Sequence, residues 1–141
     1  GVLLLFGGGI CLARAFVASG LSAPVGDGLT TVAALPVFAM MLLLALAVTF
    51  LTEATSNTAT TALLMPMLAA VALAAKIDPL LLMVPAAMSA SCAFMLPVAT
   101  APNAVVFGSG ELPVRRMVRE GFALNLMGAL IISTVAWILL T

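Results

Sequence analysis

Only ten charged side chains interrupt this chain of 141 residues. They are Arg14, Asp27, Glu53, Lys76, Asp78, Glu111, Arg115, Arg116, Arg119 and Glu120. The longer charge-free runs between them are 28–52, 54–75, 79–110 and 121–141, with 25, 22, 32 and 21 residues. A bilayer-spanning helix needs about 20 apolar residues, so each run is long enough to supply one. Soluble domains carry about 25% charged residues. Here 7% are charged and 65% hydrophobic, too little charge to coat a water-facing surface. Five basic and five acidic residues cancel, which excludes the basic excess a nucleic-acid binder needs. The composition predicts an all-α integral membrane protein embedded in a lipid bilayer.

Gly1 stands inside an apolar run, with no initiator Met, basic n-region or cleavage site before it. The chain therefore reads as a fragment of a longer membrane protein. Cys11 and Cys92 both lie in apolar runs and read as packing residues rather than a disulfide. The absence of His argues against a His-bound transition metal.

The charges and the prolines divide the chain. Residues 1–19 read as a transmembrane helix, in which Gly7, Gly8 and Gly9 would let a neighbouring helix approach closely. Residues 20–32, with Pro24, Gly26 and Gly28, read as an interfacial connection. Two apolar stretches, 33–51 and 62–75, flank a polar island at 52–61, and Lys76-Ile77-Asp78-Pro79 forms a water-exposed turn. The run 79–110 is long for one straight span and is interrupted at 97–103. Residues 111–141 give a basic turn and a last transmembrane helix. Arg115, Arg116 and Arg119 place that turn in the cytoplasm by the positive-inside rule, which puts the Lys76/Asp78 turn outside.

The island TEATSNTATT holds eight polar or charged residues in ten positions. It is either a water-exposed loop between two ordinary spans or the tip of a re-entrant hairpin that turns inside the membrane. The arm 62–75 has 14 residues, about 21 Å at 1.5 Å per residue, which is short for about 30 Å of hydrocarbon. The island also lacks Gly, Lys and Arg. Both features favour the re-entrant tip. Such a tip offers carbonyls and hydroxyls to a hard cation where the first arm ends. It offers helix N-terminal amides to an anion where the second arm begins, with Ser56, Asn57 or Thr58 at the cap.

The second island, PVATAPN at 97–103, carries Pro97 and Pro102 with Thr100 and Asn103. Proline breaks the helix ladder and frees carbonyls of the preceding turn, and Asn103 is placed to cap a short helix over 104–110. Alone, this island is either a kink without a ligand or half of an ion site. Its recurrence 46 residues after the first (Asn57 to Asn103) favours a shared cation site. Glu53 is an intramembrane carboxylate, which serves either ion coupling or the stability of the tip. Glu111 and Glu120 read as interfacial.

Thr-Glu-Ala-Thr-Ser-Asn-Thr-Ala-Thr at 52–60 resembles the Ser-Asn-Thr signature of the divalent anion:sodium symporters. These are sodium-coupled carriers of dicarboxylates, citrate and sulfate. FMLPVATAPNAVVFG at 94–108 is similar to the second signature of that family, and the opening Leu-Leu-Phe-Gly-Gly-Gly run is also similar. The resemblance implies two inverted repeats, of which this chain matches the C-terminal one. That repeat has a re-entrant helical hairpin at 33–75 and an unwound transmembrane helix at 76–110. It further implies that Ser56, Asn57, Thr58, Thr100 and Pro102 contact the substrate. Thr52, Asn57 and carbonyls around Ala99 would hold a sodium ion, with Asn103 adjacent. The family pattern Thr-Pro-Pro-Asn reads Thr100-Ala101-Pro102-Asn103 here, a departure that bears on substrate preference.

The expected function is sodium-coupled symport of divalent organic anions such as C4-dicarboxylates across the plasma or inner membrane. The missing N-terminal repeat would complete the site in a homodimeric whole protein. The alternatives are a sulfate, other oxyanion or proton-coupled carrier, and a membrane scaffold without transport. No Ser/His/Asp set or metal cluster suggests an enzyme.

Overall fold

The structure, a computed structural model, describes residues 2–20, 24 and 36–141. Most of the 20–32 connection falls outside the described residues. The described elements are helical: α1 (Val2–Ala18), α2 (Val37–Ala54), α3 (Asn57–Ala74), α4 (Pro79–Ser89), α5 (Ala101–Gly108) and α6 (Val114–Leu140). Three of these, α2, α3 and α6, are long and apolar enough to cross a membrane.

The buried residues of α2 are Met40, Met41, Ala45, Val48, Thr49, Thr52 and Glu53. This is a stripe at helical spacing that is apolar at its start and polar at its end. The stripe of α6 is Met117, Gly121, Asn125, Ala129, Ile132, Ser133 and Ala136, dominated by small residues. Small side chains let helices approach closely where lipid supplies no hydrophobic drive for association. The other face of α6 presents Leu124, Met127, Ile131, Val135 and Ile138, the outward surface expected against lipid.

These stripes meet. Phe38 packs edge-on against Trp137 with centroids 6.1 Å apart, and Phe50 lies tilted by 38° against Phe122 at 5.7 Å. The two helices are therefore antiparallel, with the end of α2 beside the third turn of α6. α4 lies between the arms α2 and α3. Met40, Ala72 and Leu82 form one cluster, and Val48, Ala86 and Ala90 a second that Leu64 and Leu68 of α3 also cover. α1 lies against α3. No described residue comes within 4 Å of a methyl group placed on Gly7 or Gly8, so these glycines do not serve a close helix contact within the described residues.

The turn from α3 to α4 follows from local chemistry. Lys76 adopts φ 57°; its N–H donates to the Leu73 carbonyl and the Ile77 N–H to that of Ala72. This is a Schellman ending, and Ile77 packs back onto the Met40 cluster. Asp78 then caps α4 by accepting from Leu80 N–H at 2.9 Å, with Pro79 at the first helical position.

Three boundaries differ from the sequence expectation. Ser56 caps α3 by accepting from Ala59 N–H, so Asn57 to Thr61 are already helical and only Thr55 and Ser56 separate the arms. The second arm has 18 residues and rises about 27 Å, close to the hydrocarbon thickness, so its length does not favour a re-entrant hairpin over a full span. The interruption of the long run begins at Ala90, well before Pro97, and ends at Thr100. The basic residues 115, 116 and 119 lie in the first two turns of α6 rather than in a turn before it.

Candidate functional site

Both polar islands open on one cavity of about 570 Å³, lined by Glu53, Thr55, Ser56, Asn57 and Thr58 from the first and by Val98, Ala99, Thr100 and Ala101 from the second. The C-terminus of α2 and the N-termini of α3 and α5 thus face the same space. Helix C-termini present unpaired carbonyls and helix N-termini unpaired N–H groups, so one cavity offers partial charge of both signs. A smaller cavity of about 270 Å³ lies beside it, lined by Asn57, Thr58, Thr61, Ala62 and Ser91. Asn57 and Thr58 belong to both walls.

At the tip, Thr52 is fully buried. Its Oγ1 lies 2.6 Å from Asn57 Oδ1 and 2.9 Å from the Ala90 carbonyl oxygen. A hydroxyl carries one proton and can satisfy one of these acceptors. Three oxygens therefore gather with a single proton among them. Thr55 and Thr60 share a hydrogen bond at 2.7 Å, and Thr61 donates to the Asn57 carbonyl at 2.9 Å.

Glu53 is 5% exposed, yet its carboxylate is fully engaged. Oε1 accepts from Phe94 N–H (2.7 Å), Met95 N–H (2.9 Å) and Asn125 Nδ2 (2.7 Å), and Oε2 accepts from Leu96 N–H (3.0 Å). Three consecutive backbone donors converging on an anion form a nest. A buried unpaired N–H costs about 1–3 kcal/mol, so Glu53 removes much of the penalty of unwinding the chain at 94–96. Of the two roles open for Glu53 in the sequence, this geometry serves the stability of the tip and break.

Asn125 is fully buried and does double service, since its Oδ1 also accepts from Phe94 N–H at 3.3 Å. Gly121, one turn earlier, lies against the same backbone. A methyl group there would meet the Phe94 carbonyl carbon at 2.6 Å and Met95 Cα at 2.7 Å. Neither residue was singled out from the sequence. The available signal was Asn125 itself, the one amide in the charge-free run 121–141, because polar side chains in spanning helices hydrogen-bond across helices.

At the second island, Thr100 rather than Asn103 caps the short helix. Its Oγ1 accepts from Asn103 N–H at 3.3 Å, and the helix starts at Ala101. Asn103 instead braces the break, donating from Nδ2 to the carbonyls of Ala93 (2.8 Å) and Leu96 (3.0 Å). Thr100 and Ala99 line the larger cavity, whereas Pro102 and Asn103 do not. Asn103→Asp keeps the size but replaces the donor with an acceptor facing two carbonyls. We expect a loss of about 2–3 kcal/mol, read as a lower unfolding temperature in detergent and faster amide exchange over 93–100. Unchanged exchange there would remove Asn103 from this role.

The fold and site define a helical membrane protein in which a helix-pair tip meets a broken helix around a polar cavity. The chain belongs to the family described as the sodium:sulfate symporter transmembrane region, whose model matches residues 1–141. The resemblance carried by the Ser-Asn-Thr and Thr-Ala-Pro-Asn stretches is thereby borne out. The chain is 46% identical over 139 residues to the sodium-dependent dicarboxylate transporter SdcS of Staphylococcus saprophyticus, covering 99% of this chain and 27% of that protein. It is 45% identical over 137 residues to the protein of the same name from Staphylococcus aureus strain USA300, covering 97% of this chain and 26% of the relative. The chain thus spans about a quarter of the length of these curated relatives.

Proposed function

We propose that the protein to which this chain belongs is a sodium-coupled symporter of divalent organic anions such as C4-dicarboxylates, acting in the plasma or inner membrane. This chain supplies one sodium site and half of the substrate site. The observation that carries the reading is the convergence of both islands on one cavity, with three oxygens crowded at Thr52. Oxygen atoms in excess of protons suit a hard cation. Broken helices in sodium-coupled carriers place carbonyls and half-helix ends around such ions.

Thr52 and Asn57, with the carbonyl of Ala99 across the cavity, are the sodium ligands in this reading, and Asn103 fixes the loop that carries Ala99. Ser56, Asn57 and Thr58 at the start of α3 take one carboxylate of the substrate on helix N-terminal amides. Thr100, which caps α5, forms the facing wall, with Pro102 behind it in the first helical turn and outside the lining, and the missing N-terminal repeat completes the pocket in a homodimeric whole protein. Sodium binds first and lowers the repulsion a dianion would meet beside Glu53. The hairpin and broken helix then move together to alternate access.

The re-entrant character of the hairpin has support independent of arm length. Glu53 at the end of α2 meets Asn125 of α6, and the three arginines lie toward the N-terminus of α6 from that contact. That geometry agrees with a tip below the cytoplasmic face, the arginines inside and the Lys76/Asp78 turn outside. The names of the similar proteins favour a dicarboxylate over sulfate as substrate. Uptake into proteoliposomes by the full-length protein tests the reading. Labelled succinate should accumulate under an inward sodium gradient and not under choline or a proton gradient, and excess sulfate should compete weakly. Equal uptake with choline would overturn it.

A further inference from the structure

We propose that Glu53 is a positioning residue for the sodium site, acting through the backbone of residues 94–96. The proposal rests on the sodium-coupled reading above. Two adjacent side chains in the last turn of α2 hold the break at two places. Thr52 meets the Ala90 carbonyl at its start, and Glu53 takes the N–H groups of Phe94, Met95 and Leu96 in its middle. Asn103 holds the other side of the same loop through the Ala93 and Leu96 carbonyls. The Ala99 N–H in turn donates to the Leu96 carbonyl at 3.1 Å. The position of the Ala99–Thr100 wall relative to Asn57 is thus set by a short chain of hydrogen bonds that starts at Glu53.

Charge is part of the device. Neutral glutamine could still accept from Phe94 and Met95 with its one carbonyl oxygen. Its amide group would face Leu96 N–H donor to donor. Aspartate is one methylene shorter and would not span the same nest. All four donors around Glu53 are spoken for by its two oxygens, so the carboxylate acts on the ion by placing other ligands rather than by coordination. Groups that orient ion ligands from behind typically change affinity about 10–100-fold when removed.

The test uses the full-length protein in proteoliposomes with labelled succinate. Glu53→Gln should raise the half-saturating sodium concentration about tenfold or more and speed amide exchange at 94–96. The sodium-to-succinate stoichiometry should not change. An unchanged half-saturating sodium concentration would overturn the proposal. So would a lost coupled sodium ion, which would make Glu53 a direct ligand. Should Glu53→Gln fail to fold, Asn125→Ala decides instead: it removes one of the four donors and should raise half-saturating sodium about threefold, within the range for coupled neighbours, and no rise would overturn the proposal. Sodium-independent uptake by the unmodified protein would defeat the symport reading itself, an outcome distinct from a null effect of the Glu53 change.

Discussion

Asn57→Ala is expected to abolish sodium-dependent dicarboxylate uptake by the intact protein while leaving its fold in place. Asn57 is the first residue of α3, and the cap that starts this helix is Ser56, not Asn57. Alanine is a strong helix former, so the tip should still form. The substitution removes the Oδ1 that lies 2.6 Å from Thr52 Oγ1 and a side chain shared by both cavity walls. The proposed sodium and carboxylate sites lose a ligand together. Because each site favours occupation of the other, losses on both sides multiply. We expect initial uptake to fall at least about 100-fold, two such losses of about tenfold each, with the unfolding temperature in detergent little changed. Normal uptake would sink the site assignment.

Gly121→Ala is expected to be the most damaging single-methyl addition in α6. An exposed helical glycine gains about 1 kcal/mol on replacement by alanine. At Gly121 the new methyl would meet the Phe94 carbonyl oxygen and carbon and Met95 Cα, all backbone atoms. Those atoms belong to the segment that Glu53 holds, so they cannot retreat without breaking its hydrogen bonds. Overpacking of this kind costs about 1–3 kcal/mol or more. Gly128 provides the internal control, because a methyl there meets Cys92 Sγ at 3.7 Å, an ordinary contact. Gly121→Ala should lower the unfolding temperature and cut uptake about tenfold, the kinetic equivalent of about 1.4 kcal/mol, while Gly128→Ala does neither. Equal behaviour of the two variants would contradict the close packing of α6 on the break.

Much of this site was legible because its residues offend the background. Polar residues at 52–61 and prolines at 97 and 102 stand out in a chain with ten charges, and residues 53–58 and 98–101 of the two islands do line one cavity. What the sequence concealed is tertiary in origin. Ser56 is legible as one of three candidate caps, but the polar run hides that the second arm begins at Asn57 rather than at 62. Residues 90–96 carry no breaking signal, since Ala-Ser-Cys-Ala-Phe-Met-Leu suits a helix. They unwind where Glu53, 41 residues before Phe94, supplies an alternative acceptor for their N–H groups. The pairing of Glu53 with Asn125, 72 residues apart, has no local signature at all.

The central claim is that sodium and a dicarboxylate share a site built from these two islands. Equilibrium binding of labelled succinate to the purified full-length protein, titrated with sodium at constant ionic strength, tests it most directly. Linkage requires that each ligand raise the affinity for the other by the same factor. The account predicts that succinate affinity rises at least about tenfold, a coupling of about 1.4 kcal/mol, between choline and saturating sodium, and that Asn57→Ala removes the rise. Succinate binding of equal strength in choline and sodium would contradict it.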